Sequence, residues 1–242
     1  MCVRQPNRNP IFCLIPPYML DQIARNGDKA QREVALRTRA KDTTFRSLRM
    51  VAVPAKGPAH MALAMGADKR RSIYSAEGAD SLPGTLVRGE GQPASGDAAV
   101  DEAYDGLGAT FDFFDEVFDR NSIDDAGMAL DATVHFGQNY NNAFWNSTQM
   151  VFGDGDGQLF NRFTVALDVI GHELAHGVTE DEAKLMYFNQ SGALNESLSD
   201  VFGSLIKQYA LKQRAEDADW LIGKGLFTQK IKGTALRSMK AP

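Results

Sequence analysis

Two histidines and a glutamate in the stretch 164–182 have the types and spacing of a catalytic metal site. His172 and His176 are four residues apart, so on a helix they lie one turn apart on one face, where both imidazoles can bind one metal ion. Glu173 follows the first histidine and can accept a proton from a metal-bound water. Apolar residues around the motif and the absence of proline favour a helix here. The alternative is a helix surface that carries these residues by chance.

A second motif downstream, within GALNESLSDVFG, can complete such a site. A catalytic zinc usually has three protein ligands and one open position, and Glu196 is the candidate third ligand, on a helix that returns and packs against the first. Asp200 lies four residues later on the same helical face, where it can accept the second ring N–H of a ligating histidine and fix its tautomer. Taken alone, this motif is typical of a solvated helix face, so the assignment depends on the upstream histidines.

Several motifs together occur in the order and spacing of one known family. The chain resembles the thermolysin family of neutral zinc metalloproteases through HELAH, YFNQSGALNESLSD, NYNNAFWN and MVFGDGDG, from about Ser72 to the C-terminal end. The N-terminal IPPYML and the basic helical region after it resemble the propeptide of the protealysin-like subgroup. The resemblance implies an α+β, thermolysin-like fold with a β-rich N-terminal domain, a central zinc-binding helix and the start of a helical C-terminal domain.

The resemblance also implies which residues bind substrate. Asn142 and Ala143 match the family's edge-strand residues, to which a peptide hydrogen-bonds through its main chain. Tyr187 matches the tyrosine that helps to bind the oxyanion of the tetrahedral intermediate, and Arg237 matches a contact to a substrate carbonyl. The positions that match the pocket for the residue after the cut bond are all apolar: Phe160, Phe163, Val169, Ile222, Leu226 and Leu236. The implied activity is cleavage of proteins or peptides before bulky hydrophobic residues.

The chain departs from this family at the positions that bind calcium. Asp168 and Asp219 remain. The expected carboxylates are replaced at four positions: Lys207, Leu221, Lys224 and Thr234. A lysine ammonium beside a remaining carboxylate can neutralise its charge directly. The expected cofactor is therefore zinc, and calcium is not expected at the family's usual sites.

Hydrophobic periodicity predicts the elements that must hold these residues. Helices are predicted near 30–41, 98–120, 163–181, 192–213 and 217–227. Short strands are predicted around 71–76, 84–90, 132–137 and 149–154, with Phe144 and Trp145 in the core. The DGDG stretch at 154–157 lacks the later glutamate of an EF-hand loop, and we interpret it as a hairpin turn between strands.

The sequence divides into four zones. It contains no internal repeats. Residues 1–50 are interpreted as a propeptide-like leader and residues 51–68, rich in small residues, as a linker or processing region. Residues 69–161 form a β-rich N-terminal catalytic subdomain, and residues 162–242 form a helical zinc-binding region.

Composition and charge indicate how the leader relates to the rest of the chain. With 242 residues, 43% of them hydrophobic, the chain can form one or two domains, and a net charge of −5 argues against nucleic-acid binding. Residues 1–50 hold ten Lys or Arg against four Asp or Glu, a net charge of +6, whereas residues 51–242 carry −11. A basic leader and an acidic body favour a propeptide held on its own enzyme. The alternative is a solvated helix face plus a disordered tail.

Both cysteines, Cys2 and Cys13, lie in the leader, so the stability of the remaining chain does not depend on disulfides. Cys13 is either a plain apolar residue or a thiol that caps the zinc. No apolar run reaches membrane-spanning length. The stretch IFCLIPPYML is short, is broken by two prolines and lacks a cleavage site, so a standard secretory signal is not expected. The family suggests secretion, while a cytoplasmic location or non-classical export stays open.

A further departure concerns the family's other oxyanion-stabilising group, a histidine downstream of the ALRSM motif. His60 and His135, the histidines outside the metal motif, both lie upstream of it, and we therefore expect the sequence to lack most of the C-terminal helical half. The predicted function is a zinc-dependent metalloendopeptidase precursor with Glu173 as general base. The alternative is a truncated zinc-binding pseudoenzyme or inactive fragment with a binding role.

Overall fold

A helical leader, a mixed sheet and three further helices form the part of the chain that the computed structural model describes, residues 14–51, 69–185 and 189–240. The helices are α1 (Pro17–Asn26), α2 (Lys29–Val51), α3 (Ala98–Phe118), α4 (Leu167–Glu182) and α5 (Asn189–Ala210), with a 3-10 turn at Phe163–Val165. The strands are β1 (Arg71–Ser75), β2 (Thr85–Gly89), β3 (Leu130–Val134), β4 (Ala143–Trp145), β5 (Met150–Phe152), β6 (Leu221–Ile222) and β7 (Arg237–Ser238). The fold is α+β, as the resemblance predicts.

The five-stranded sheet has the order β2-β1-β3-β5-β4, which leaves β4 at one edge. Strand β1 pairs antiparallel with β2 and parallel with β3, β3 pairs parallel with β5, and β5 pairs antiparallel with β4. All three residues of β4 are buried, including Phe144 and Trp145, as the sequence predicts. An edge strand keeps one row of backbone groups free of sheet pairing, so β4 can bind a further chain through its main chain.

Helix α3 begins at a capping residue, Asp97, whose carboxylate accepts from the backbone N–H groups of Ala99 and Val100 at 2.8 and 3.3 Å. It approaches α4 closely at Gly106, where an added Cβ would lie 2.4 Å from Ile170 Cδ1. Its buried face joins the main apolar core with α4 and the sheet. Helix α4 is therefore buried on every side over most of its length, which takes the histidine motif out of solvent.

The leader packs on this core and on a second, smaller apolar cluster. Leu14, Ile15 and Leu20 have no exposed surface and belong to the main apolar cluster, and each fully buried aliphatic side chain contributes about 1.5–3 kcal/mol. Helix α2 contributes Phe45, whose ring contacts the rings of Phe136 and Phe144 at centroid distances of 5.7 and 4.6 Å. The leader is thus joined to the body by apolar packing.

Two predicted elements are wrong, and others differ in extent. Residues 217–227 are turns around β6, because Trp220, Gly223 and Gly225 have positive φ values of 58°, 72° and 93°, which a helix excludes. The DGDG stretch is a loop without a hairpin, because β5 pairs only with β3 and β4 among the described residues, and the next paired residue, Phe160, bridges to Phe227. Helices α2 to α5 correspond to the helices predicted near 30–41, 98–120, 163–181 and 192–213. Helix α1 was not predicted.

No helix within the described ranges has both the length and the apolar character that crossing a membrane requires.

Candidate metal centre and cleft

Helices α4 and α5 bring the two predicted metal motifs together. They approach closely where glycines face each other: an added Cβ at Gly171 would lie 3.2 Å from Gly203 Cα, and one at Gly203 would lie 2.3 Å from the carbonyl oxygen of Asp168. His172 and His176 are fully buried on α4, and Glu196 on α5 faces them. Any side chain at Gly203 would push the helices apart, so these glycines set the spacing of the site.

The distances among the candidate ligand atoms fit a zinc ion. The two Nε2 atoms lie 3.1 Å apart, and the carboxylate oxygens of Glu196 lie 3.4 Å from His172 Nε2 and 3.5 Å from His176 Nε2. Zinc–ligand bonds of about 2.0–2.1 Å at tetrahedral angles put neighbouring ligand atoms about 3.3 Å apart. Glu196 Oε1 is buried and accepts no hydrogen bond from any described residue. The donor set and its spacing therefore fit the metal that the sequence predicts.

The second ring nitrogen of each histidine has an acceptor, which leaves Nε2 as the metal-binding atom. His172 Nδ1 lies 2.8 Å from Asp200 Oδ1, and His176 Nδ1 lies 2.7 Å from Asn195 Oδ1 and 2.9 Å from Ser199 Oγ. A donated Nδ1–H fixes the tautomer and points the Nε2 lone pair into the site. Sequence reasoning missed Asn195 and Ser199. Their i, i+4 spacing to each other, one position before Glu196 and Asp200, is the signal that could have found them.

The charges around the site are strongly coupled. Burial alone would raise the pKa of Asp200, but hydrogen bonds from His172 and Arg237 hold it well below its usual range. Burial works against a charged imidazole, but hydrogen bonds to Asp200 and Glu196 raise the pKa of His172 to about 10. Burial also raises the pKa of Glu196, against the effect of His172. The site thus favours a positive charge among its ligands, which a divalent cation would supply.

Glu173 is placed differently from Glu196. It offers an oxygen in a group with both histidines whose ligand atoms all lie within 4.8 Å, so proximity alone makes it a second candidate ligand. Its Oε2 accepts the backbone N–H of Trp145 at 3.1 Å, which ties the carboxylate to strand β4. A carboxylate held beside the metal position, at the free edge of the strand, suits a base for a metal-bound water.

Leader residues occupy the predicted substrate positions on β4. Leu14 N donates to the carbonyl oxygen of Ala143 at 3.4 Å, and Ile15 N donates to Asn142 Oδ1 at 2.9 Å. Asn142 Nδ2 donates in turn to the carbonyl oxygen of Ile15 at 3.3 Å. Arg237 donates from Nη1 to the carbonyl oxygen of Leu14 at 3.2 Å. The residues predicted to bind substrate main chain therefore bind the main chain of the leader.

Arg237 also connects this peptide to the metal centre. Its Nε and Nη2 donate to the two oxygens of Asp200 at 2.8 and 2.7 Å, and Asp200 pairs with His172. The planar guanidinium makes a two-pronged contact that lysine could not reproduce. Arg237 is therefore fixed by the same carboxylate that orients a metal ligand.

A buried carboxylate of the leader holds Asn142 from the other side. Asp42 on α2 has no exposed surface and accepts from Tyr140 Oη at 2.5 Å and from Asn142 Nδ2 at 2.9 Å. One helical turn earlier, Thr38 Oγ1 accepts the backbone N–H of Asn141 at 3.3 Å. Helix α2 thus sets the orientation of the Asn142 amide, and in this orientation the amide hydrogen-bonds to the backbone of Ile15. Sequence reasoning did not single out Asp42, because in the sequence it is one of two acidic residues on a basic helix.

The predicted pocket residues are largely buried. Five are fully buried or nearly so, and Leu236 is partly buried. Leu226 and Leu236 converge on Gly223, where an added Cβ would lie 2.8 and 2.9 Å from their Cδ1 atoms. Leu14 and Ile15 belong to the same apolar cluster as Phe160, Phe163, Val169 and Leu226. Ile222 lies in β6, paired with Arg237 on β7, which joins the pocket to the arginine.

Lys207 stands among the oxygens at the position where the resemblance implies that the family binds calcium, and where no calcium is expected in this chain. Its ammonium donates to Asp168 Oδ2 at 2.7 Å, to Asp219 Oδ1 at 3.0 Å and to the carbonyl oxygen of Leu221 at 2.7 Å. Lys224 lies 3.3 Å from the other oxygen of Asp219. Asp168 is 1% exposed, so its charge depends on this compensation. Thr234, the remaining altered position, is exposed.

Three predicted residues lie outside the described ranges: Tyr187, the candidate oxyanion ligand, and the cysteines Cys2 and Cys13.

Several known proteins are similar to this chain in sequence, and one of them also in its solved structure. The family model described as thermolysin metallopeptidase, catalytic domain, matches residues 31–180, and that of the alpha-helical domain matches residues 183–242. An extracellular metalloprotease of Pectobacterium carotovorum subsp. carotovorum is 57% identical over 96% of this chain and 66% of its own length. Protease PrtS of Photorhabdus sp. (strain Az29) is 52% identical over 95% and 62%. The solved precursor of protealysin, a metalloproteinase from Serratia proteamaculans, matches with a TM-score of 0.83 and 55% identity, over 95% of this chain and 66% of that one. The chain thus spans under two thirds of the length of these relatives, at 62% to 66%.

Proposed function

This chain belongs to the thermolysin family of metallopeptidases, and from that premise we propose that it is the precursor of a zinc endopeptidase whose leader lies in its own substrate cleft. The observation that carries the proposal is the set of three ligand residues on α4 and α5: the two Nε2 atoms lie 3.1 Å apart, the Glu196 oxygens lie 3.4 and 3.5 Å from them, and both histidines are oriented through Nδ1. His172, His176 and Glu196 would hold the ion. Bound there, zinc would polarise the scissile carbonyl and acidify a water.

The remaining catalytic roles belong to the protein's own residues. Glu173 takes the proton of the attacking water and later delivers it to the leaving amine. Its hydrogen bond to Trp145 N keeps the carboxylate in one place and leaves it next to the substrate strand. Asp200 holds His172 in the metal-binding tautomer, and Tyr187 is proposed to donate to the oxyanion.

Substrate recognition uses the contacts that the leader makes. Ala143 O and the side-chain amide of Asn142 would bind the backbone of a peptide that adds to β4 as an extra strand. Arg237 would hold the carbonyl of the residue after the cut bond. The apolar pocket would take that residue's side chain, so cleavage is proposed before bulky hydrophobic residues. Because the relative from Pectobacterium carotovorum subsp. carotovorum is an extracellular metalloprotease, secretion is part of the proposal.

The test combines metal content with the position of cleavage. Purified protein should hold one zinc per chain by elemental analysis, and it should cut a peptide that contains a single Phe or Leu on the amino side of that residue, as mass spectrometry can locate. Glu173→Gln should keep the zinc and lose the cleavage. Zinc binding without any hydrolysis would favour the rival function, a metal-binding protein without catalysis. Failure to bind zinc would remove both.

A further inference from the structure

Asn161, in the loop after β5, binds three consecutive carbonyl groups in the turns between β6 and β7. Its backbone N–H donates to the carbonyl oxygen of Leu226 at 2.8 Å. Its side-chain Nδ2 donates to the carbonyl oxygens of Gly225 and Phe227 at 2.9 and 3.1 Å. An asparagine amide has two N–H groups, so these two acceptors use both. The backbone and side chain of one residue therefore hold Leu226 and both of its neighbours.

Both of the segments that Asn161 connects carry residues of the proposed pocket. Phe160 precedes Asn161 and Phe163 follows it, while Leu226 is the middle residue of the segment that it binds. Phe160, Phe163 and Leu226 are at most 1% exposed and belong to one apolar cluster. Phe160 also forms an isolated bridge with Phe227, and the centroids of their rings lie 5.6 Å apart. Asn161 thus lies at the junction between two walls of the pocket.

The turns that carry Leu226 lie outside the helices and strands of the described chain. Residues 223–236 connect β6 to β7, and Gly223 and Gly225 have positive φ values of 72° and 93°. An added Cβ at Gly223 would lie 2.8 and 2.9 Å from the Cδ1 atoms of Leu226 and Leu236, so both leucines close over this glycine. Because no regular element fixes these turns, the position of Leu226 depends on the contacts that reach across from the loop after β5.

We propose that Asn161 is a positioning residue that determines specificity: it holds Leu226 in place and so sets the width of the pocket for the side chain after the cut bond. The inference rests on the proposed function, because it concerns the pocket assigned there. Asn161 acts through Leu226 and takes no part in the proton transfer assigned to Glu173. Its role is to set how strongly the chain prefers one apolar side chain over another.

A pocket with fixed walls distinguishes apolar side chains by how well they fill it. One methylene group that is added or missing in such a pocket changes kcat/KM by about 10–200-fold. This discrimination decreases when a wall can move, because the pocket can then collapse around a small side chain at little cost. Loosening the turns at 225–227 should therefore weaken the preference for bulky residues without removing hydrolysis.

The experiment compares zinc-loaded chains on four peptides that differ only in the residue after the cut bond, which is Leu, Phe, Val or Ala. Asn161→Asp keeps the shape and the backbone N–H, but its carboxylate cannot donate to Gly225 or Phe227. We expect the ratio of kcat/KM between the Leu and Ala peptides to fall by about threefold or more, mainly through a higher KM for the Leu peptide. Thr228→Val is the matched control. It removes a hydrogen bond between the same two segments, from Thr228 Oγ1 to the carbonyl oxygen of Gln158 at 2.6 Å, outside the part that Asn161 binds, and should leave the ratio unchanged.

A double-mutant comparison tests whether Asn161 acts through Leu226. Adding Asn161→Asp to Leu226→Ala should change the ratio no further, because the wall that Asn161 holds is already absent. Asn161→Ser keeps one side-chain donor and is the milder variant if Asn161→Asp does not fold, and it should lower the ratio in the same direction. An unchanged ratio in the Asn161 variants, an equal loss for all four peptides, or additive effects of the two substitutions overturns this inference alone. If the unmodified chain cuts none of the peptides, the proposed function fails and this inference fails with it.

Discussion

The backbone N–H of Trp145 donates to Glu173 Oε2 at 3.1 Å, so the edge strand that receives a peptide also fixes the carboxylate proposed to activate water. This contact separates the role of Glu173 from that of Glu196. The Glu173 carboxylate accepts a hydrogen bond from the strand and is therefore poorly placed to bind the metal as well. The oxygens of Glu196 instead face both imidazoles, at 3.4 and 3.5 Å.

The first prediction concerns these two glutamates. Glu173→Gln should keep about one zinc per chain, because the amide oxygen can still accept from Trp145 N, and should lower hydrolysis by about 10²–10⁴-fold. Glu196→Gln and His172→Ala should lose most of the metal. Elemental analysis after dialysis, alongside peptide cleavage, measures both properties. If Glu173→Gln lost zinc as thoroughly as His172→Ala, the assignment of base and ligand would be wrong.

The second prediction concerns Lys207. Millimolar calcium or a calcium-selective chelator should leave the melting temperature of the unmodified chain nearly unchanged, because an ammonium already neutralises Asp168 and Asp219. Lys207→Glu should instead gain stability with calcium, by about 2.7 kcal/mol when free calcium is 100 times its dissociation constant. A large calcium-dependent rise in the melting temperature of the unmodified chain would refute this account.

Removing the charge of Lys207 provides the matched comparison. Lys207→Met should destabilise the fold by about 3–5 kcal/mol, because Asp168 is buried and would lose its counter-ion. Lys224→Met removes a lysine that lies at the exposed side of the same cluster and should cost under about 1 kcal/mol. Equal effects of the two substitutions on denaturant unfolding would mean that burial does not set the strength of this interaction.

The third prediction concerns pH and His135. Its Nδ1 lies 2.9 Å from Asp154 and its Nε2 lies 3.1 Å from Asp97, so the charged ring joins the start of α3 to the loop after β5. The hydrogen bond to Asp154 raises the pKa of His135, against the effect of burial, and the Asp97 carboxylate adds to the rise. Because the folded-state pKa is above the ordinary 6.5, the contribution to stability is complete below about pH 6.5. It is lost as pH rises through the folded-state value.

His135→Asn tests this, since asparagine tolerates the positive φ of 54° at this position and does not titrate. The free energy of unfolding of the original chain should exceed that of the variant by about 0.5–1 kcal/mol more at pH 5.5 than at pH 8.5. Urea unfolding at both pH values measures the difference between the two proteins, which cancels the titration of other groups. A difference that grew with pH would have the wrong sign.

The fourth prediction concerns Asp42. Asp42→Ala leaves the hydroxyl of Tyr140 and the amide of Asn142 without this acceptor, and an unsatisfied buried donor costs about 1–3 kcal/mol. Exchange of α2 amides in the intact chain should therefore speed up by about 10–100-fold. Asp21→Ala is the control, because Asp21 pairs with Arg39 inside the leader. Exchange of α2 that is equally fast in both variants would show that Asp42 does not hold the leader on the body.

The fifth prediction concerns salt. The leader carries +6 and the rest of the chain −11, and Lys41 pairs with Asp80 across the interface. Exposed charges are screened within about 8 Å at physiological ionic strength, so α2 should open more readily as sodium chloride rises from 50 to 500 mM. Lys41→Met should reduce that salt dependence. Exchange that is the same at all salt concentrations would assign the attachment to apolar packing and buried hydrogen bonds.

Local spacing was enough to predict the relation between His172, Glu173 and His176. The reason is covalent: once a segment is helical, the geometry of the backbone places residues four apart on one face. The same argument covers Glu196 and Asp200, and it could have included Asn195 and Ser199. Periodicity failed at 217–227, because the positive φ values of Trp220, Gly223 and Gly225 leave no trace in the pattern of apolar residues.

Only the tertiary structure decided how these segments are placed relative to one another. The distance from Glu196 to the imidazoles depends on how closely Gly171 and Gly203 let α4 and α5 approach, and the register of Leu14 on Ala143 depends on Asn142, Asp42 and Arg237, which are far apart in sequence. The charge split of the sequence indicated that the leader and body attract. The attraction between opposite charges decreases slowly with distance, so it does not select which residues face each other. Hydrogen bonds and apolar packing act only at contact and therefore fix which residue faces which.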